Sequence, residues 1–180
     1  QHVIDGWRKT NPWARLYWGK HNQNESYGLI GAFNQAIDTP GTICTAGRVA
    51  YVYDKSYLGG TIFCALPCGR MLTYPQVKVR DLEFEDKKTG EKEKRRQLAF
   101  RKGYGFSGIW YGKICENITQ ATAASLLRHL LVRLRAYEDF MPVHAHVHDE
   151  VLCIVDEDRA EEAMGLLMDE MRHVEPWAEG

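Results

Sequence analysis

No stretch of this 180-residue chain approaches the ~20 consecutive apolar residues that a membrane-spanning helix needs, so no membrane partner is expected. Charge of one sign is also missing. Lys and Arg number 23 against 24 Asp and Glu, for a net charge of -1, and nothing in that balance announces a nucleic-acid binder. Neutrality overall still permits basic residues to be concentrated on one face. The five cysteines, Cys44, Cys64, Cys68, Cys115 and Cys153, contain no C-x-x-C pair, and their odd number leaves one over in any disulfide scheme. Cysteines used as small apolar residues in a reducing cytoplasm are the simpler reading. With no signal peptide visible, the sequons Asn24-Glu25-Ser26 and Asn117-Ile118-Thr119 read as chance matches. Internal repeats and low-complexity tracts are absent too.

What is present is ordinary globular material, 44% apolar and 26% charged, in a length that suits one domain or a generous part of a larger one. The chain begins with Gln1 and stops after Trp177-Ala178-Glu179-Gly180. Neither end reads as a natural terminus, and a fragment is expected.

Helical patterning opens the chain. Val3 to Pro12 reads as a short helix ending near the proline, and Trp13 to about Gly31 as a second helix. Residues 40–80 turn to β-rich runs punctuated by Gly and Pro: Val49 to Tyr53, Thr61 to Leu66, then a tight turn at Leu66 to Pro75 leading into another strand. Residues 83–102 are the most densely charged of the chain, with Thr89-Gly90 as a turn signal, and predict a solvated hairpin or loop, an excursion spanning 78–103. Either this is a charged exposed segment, or Arg95, Arg96, Arg101 and Lys102 reach DNA phosphates. From Ile114 to Tyr137, apolar residues recur at three and four and predict a long helix. Val143 to Val155 alternates and then becomes apolar, as a buried strand or tight hairpin, and Asp158 to Val174 reads as a final amphipathic helix with acids at its start. The fold class expected is α+β, with a small antiparallel sheet.

The most informative cluster is His144-Ala145-His146-Val147-His148-Asp149-Glu150-Val151. On a continuous strand His144, His146 and His148 share one face; if a hairpin turn falls at His148-Asp149, the two acids sit instead at an exposed bend. Adjacent carboxylates in apolar surroundings are costly to bury without a partner, and a hard divalent cation such as magnesium suits them.

Val147-His148-Asp149-Glu150-Val151 resembles the motif that supplies the second metal-binding aspartate in A-family (DNA polymerase I-type) DNA polymerases. Four more stretches match that family in order. Trp7-Arg8, Asn11-Pro12 and Trp18 resemble the helix after the fingers. Leu66-Pro67-Cys68-Gly69-Arg70 resembles its Leu-Pro-Ser-Gly-Arg strand, with Cys for Ser. Tyr111-Gly112-Lys113-Ile114-Cys115-Glu116-Asn117-Ile118-Thr119-Gln120-Ala121 resembles the phage-type run before the long palm helix. Trp177 to Gly180 resembles the segment before the C-terminal strand.

The resemblance implies that residues 1–180 form the C-terminal part of a polymerase domain: part of the palm, with its long helix, and base-of-fingers helices. It implies DNA synthesis on primer-template DNA from deoxynucleoside triphosphates, with two Mg2+ ions in the complete site. Asp149 is then the metal ligand, with Glu150 beside it in a lesser role and His148 close to the primer terminus. The implied DNA-binding residues are Gln120, Glu116, Arg70 and Lys113. A side-chain amide such as that of Gln120 can donate to minor-groove acceptors, present on every base pair, without reading sequence. Glu116, an acceptor only, reads as an orienting partner for a base, amide or arginine.

Two departures matter. Ala123-Ala124-Ser125 stands where many relatives have Ala-Arg-Asp, which puts a salt bridge or DNA contact in doubt. The other metal-binding aspartate and the fingers helix that holds the triphosphate are missing; Asp54-Lys55-Ser56-Tyr57-Leu58-Gly59 mimics the aspartate motif but lacks its closing Glu and falls out of order. The chain alone is therefore expected to be inactive and to need the N-terminal remainder, in the same or a separate chain. The rival readings are a catalytically incomplete DNA-binding remnant and a metallohydrolase using His144 and His146.

Overall fold

The computed structural model describes residues 2–19, 27–85 and 89–179. The sequon at Asn24 and the middle of the expected second helix lie outside the described residues. The chain divides into two compact units, 1–117 and 118–180.

In the first unit, α1 (His2–Thr10) gives way to α2 (Pro12–Trp18) at Asn11, whose side-chain amide donates to the Trp7 carbonyl at 2.9 Å. Pro12 suits the first turn of a helix because that turn's N–H groups have no intrahelical acceptor. The helix expected from Trp13 to Gly31 stops far earlier, at Gly19, in the left-handed conformation (φ 87°). A Cβ there would sit 2.0 Å from the Tyr27 carbonyl oxygen, so any other residue would push the returning chain away. A separate helix, α3 (Gly28–Asp38), then buries Leu29, Ile30, Phe33 and Ala36.

Helix α3 lies on an antiparallel sheet in the order β1 (Cys44–Ala46), β2 (Val49–Asp54), β3 (Thr61–Ala65), β4 (Met71–Tyr74). These are the β-rich runs read from the sequence, with the Leu66 turn closed by a Leu66 N–H to Arg70 carbonyl bond of 2.8 Å. Phe33 meets Tyr51 and Tyr74 edge-on, with centroids at 5.6 and 5.4 Å, and Tyr74 meets Phe100 at 5.1 Å. Burial pushes the Tyr74 hydroxyl and the Cys64 thiol up to about 12, and raises Tyr51 as well.

The charged excursion is a second sheet: β5 (Lys78–Glu85), β6 (Lys92–Lys102) and β7 (Gly105–Gly108), all antiparallel. Asp54, which mimics the polymerase aspartate motif, accepts from Ser56 N–H, Ser56 hydroxyl and Tyr57 N–H at 2.8, 2.6 and 3.2 Å. These bonds hold its carboxyl below the usual carboxylate range, and Asp54 shapes a turn.

The long helix α4 (Tyr111–Leu134) begins in the first unit and continues in the second. The second unit adds β8 (Val143–Val147), β9 (Glu150–Cys153) and α5 (Ala160–Arg172). Leu130, Leu134, Met141 and Ala163 form its core, with Leu127, Tyr137, Phe140, Val143, Val151 and Leu167 packed around them. Of the two readings of Val143–Val155, the tight hairpin is the one observed. It is not a buried strand: residues 144–150 are exposed, while Val143, Val151, Cys153 and Val155 turn inward. Among the described residues no helix is long and apolar enough to cross a membrane.

Candidate active site

Val147 pairs with Glu150, so His148 and Asp149 alone make the loop of the β8–β9 hairpin. Two-residue loops favour positive φ at their first central position because the twist then matches that of the strands. His148 complies with φ 53°, a conformation that L side chains adopt at a cost of roughly 1–2 kcal/mol. The turn leaves His148, Asp149 and Glu150 exposed, which is the exposed-bend alternative of the sequence reading. A register irregularity between Val143 and Ala145 also breaks strand alternation at His144. The three histidines therefore do not share one strand face.

His148 and Asp149 look onto one face of α4. Gln120, Ala123, Ala124 and Leu127 recur along that helix at helical spacing, and together with the turn and the C-terminal end of α5 they line a cleft of about 880 Å³. Three residues chosen from the sequence thus meet in one cavity: Gln120, His148 and Asp149. The departure at Ala123-Ala124-Ser125 has a local explanation. Ala123 and Ala124 line the cleft, whereas Ser125 is buried on the other side and donates to the Ala121 carbonyl at 3.0 Å. An aspartate at Ser125 would place a charge in that buried position.

The floor of the cleft carries a polar network that the sequence reading missed. The Arg133 guanidinium donates to the Glu170 carboxylate at 2.7 Å and to the Glu170 carbonyl at 2.8 Å, and it also bonds Glu175. Tyr137 donates its hydroxyl to Glu170 at 3.0 Å, and His129 Nδ1 lies 3.3 Å from Glu175. The Arg133 guanidinium holds the Glu170 carboxyl below the usual range, and that carboxylate in turn raises the Tyr137 hydroxyl. Trp177, from the last of the sequence motifs, packs its ring 5.7 Å from His129. One signal was legible: Glu170 stands in the last turn of α5, where the helix dipole disfavours an acid by about 0.3–1 kcal/mol and so favours a cationic partner.

Glu150 begins β9 beside the turn, and the other DNA-binding residues proposed from sequence, Lys113, Glu116 and Arg70, lie in the first unit. Lys113 and Glu116 pair with each other at 3.1 Å across one turn of α4, so Glu116 orients a lysine. Gly112 precedes them because the Trp110 ring folds over it; a Cβ would come within 1.9 Å of that ring. Arg70 follows Gly69 at the end of the β3–β4 turn.

As a metal site, Asp149 and Glu150 offer hard oxygen ligands open to solvent. Among the described residues, however, no three His, Cys, Asp or Glu side chains gather around a common point. The described part of the chain thus supplies a fraction of the ligands that magnesium takes, and it builds no histidine-based zinc site.

No protein-family model matches the chain, and no solved structure matches it. Among curated proteins it is similar to a protein named DNA polymerase from Bacillus phage SP02, with 27% identity over 181 aligned residues. The alignment covers 99% of this chain and 24% of that polymerase, so the chain spans about a quarter of its relative's length. That end-to-end similarity relates the chain to a phage DNA polymerase.

Proposed function

We propose that this chain is the C-terminal part of the catalytic domain of an A-family DNA polymerase, comprising palm and base-of-fingers elements, and acts in template-directed DNA synthesis. The observation that carries this reading is the cleft in which Gln120, His148 and Asp149 come together. The ordered motifs and the end-to-end likeness to a phage polymerase support it. Asp149 is the metal ligand of this reading, with Glu150 beside it. Magnesium, when bound, supplies the charge that stabilises the attacking and leaving oxygens of phosphoryl transfer. Gln120 donates to minor-groove acceptors near the primer end, and His148 holds the primer terminus. The left-handed turn at His148 aims the Asp149 carboxylate outward, toward ligands and DNA supplied from elsewhere.

Because the described residues assemble no complete ion site, catalysis in this reading needs the missing N-terminal portion. The test is primer extension in magnesium with this chain alone and then mixed with the N-terminal part of a related polymerase. Extension only in the mixture is expected. Asp149→Ala should then lower incorporation by about 10³-fold or more, since metal-held charge stabilisation is worth several kcal/mol, while DNA binding persists. An Asp149→Ala mixture that extends normally removes Asp149 from the site.

A further inference from the structure

We propose that one face of the β5–β6–β7 sheet is a docking surface for the sugar-phosphate backbone of duplex DNA, built on Lys78, Arg80 and Arg101 around the Phe106 ring. The choice of DNA as the polyanion rests on the proposed function; the cationic face does not.

Alternation sorts the charges of this sheet. Lys78, Arg80, Leu82 and Phe84 share a face with their partners Ala99, Gln97, Arg95 and Glu93, and with Arg101 and Phe106. That face carries four basic residues and one acid, and the acid, Glu93, is bonded to Arg95 at 2.8 Å. The opposite face carries Asp81, Glu83 and Glu85 across from Arg96, Lys94 and Lys92, with Glu83 and Lys94 3.7 Å apart. With Lys102 the opposite face also carries four basic residues, but three acids offset them, so the two faces differ in net charge, +3 against +1. Of the four basic residues singled out in the sequence, Arg95 and Arg101 lie on the cationic face, while Arg96 and Lys102 point the other way.

The cationic face is ordered in advance. The Arg80 guanidinium stacks 3.5 Å from the Phe106 centroid, with Arg101 at 5.4 Å and Lys78 at 6.0 Å from the same ring. Arg101 is held further by donating to the Gly103 carbonyl at 2.9 Å. Among the described residues no carboxylate pairs with Lys78, Arg80 or Arg101; the Arg80 Nε is itself buried and has no hydrogen-bond partner. Three like charges around one ring repel one another, and a polyanion relieves that repulsion while releasing its own counterions. A guanidinium stacked on a ring presents its edge, the geometry that grips phosphate oxygens. Because Arg80 caps the ring, Phe106 offers no free face to an unpaired base, and the surface suits a duplex backbone rather than a stacked single strand.

The test is fluorescence anisotropy of a labelled duplex with the full chain, without nucleotide, over a range of salt. Lys78→Gln with Arg101→Gln, which keeps the Arg80–Phe106 stack, should weaken binding at least about tenfold and lower the salt slope by about 1.8, at ~0.9 per phosphate contact. Adding Arg80→Gln should weaken it further. Lys94→Gln with Arg96→Gln makes the same charge change on the opposite face and should stay within about twofold. Equal losses from both pairs, or no loss from the first, overturn the proposal. So does a large loss from Tyr104→Ala at the wholly exposed β6–β7 turn, the result of single-strand stacking, and so does tighter binding of an RNA duplex. Face-specific DNA binding without primer extension would count against the polymerase reading alone; extension with the variants binding normally would count against this surface alone.

Discussion

The two units stabilise themselves by different means. In residues 1–117 a helix that is apolar on most sides lies on a sheet, and Phe33, Tyr51, Tyr74 and Phe100 interlock edge-on in a continuous core. In residues 118–180 Leu130, Leu134, Met141 and Ala163 form a small buried cluster, and Arg133, Glu170, Glu175 and Tyr137 complete the packing with charge-assisted bonds beside a cleft. Apolar burial is indifferent to pH and partner, whereas a polar cleft is sensitive to both. The candidate chemistry sits in the unit that depends on its polar groups.

The sharpest way to break this contrast is Phe33→Ala. It removes a wholly buried ring that touches two others and should cost about 3–5 kcal/mol by thermal or urea unfolding. A loss below about 1 kcal/mol would mean that the aromatic stack is not the core of its unit. Leu134→Ala, the corresponding change in the smaller cluster, should cost about 2–4 kcal/mol, with the lower end expected if the cleft relaxes into the space.

Arg133→Met should have a smaller effect with a distinctive pH dependence. Glu170 has a depressed folded-state pKa, so its contribution to stability is fully present above the unfolded-state value and is lost as pH falls through the depressed value. Melting temperatures across the acid range should therefore fall more steeply for the parent than for Arg133→Met, and the two curves should converge at low pH. Parallel curves would remove Arg133 as the cause of the Glu170 shift. The smallest effect is expected at the hairpin: His148→Gly relieves the left-handed strain and should raise stability by at most about 1 kcal/mol. If it destabilises, the imidazole makes contacts that outweigh the backbone strain.

Legibility in the sequence followed the range of the forces involved. Strands β2, β3 and β4 were readable because alternation and turn residues act locally, as at Leu66 to Arg70. The end of α2 was misread although Gly19 and the wholly polar run at 20–26 after it are a local stop signal, and the approach of the Tyr27 carbonyl adds a second reason for glycine there. The candidate site was half legible. Gln120 and Asp149 stood out through motif resemblance, but their meeting in one cleft depends on how β8–β9 folds back beside α4. The pairing of Lys113 with Glu116 spans one helical turn and could have been read from their spacing.

By itself the sequence determined strands β2 to β4, the long helix α4, the turn chemistry at residues 66–70 and the residue types available for catalysis, because these depend on neighbours a few positions away; the turn at 148–149 it left as one of two alternatives. Tertiary structure alone decided which charges face together. Arg133 meets Glu170 and Glu175 across 37 and 42 residues, and Lys78, Arg80 and Arg101 converge on Phe106 through strand register. The physical reason is that a one-residue change of register turns every side chain of a strand to the opposite face, and register is set by packing over the whole sheet.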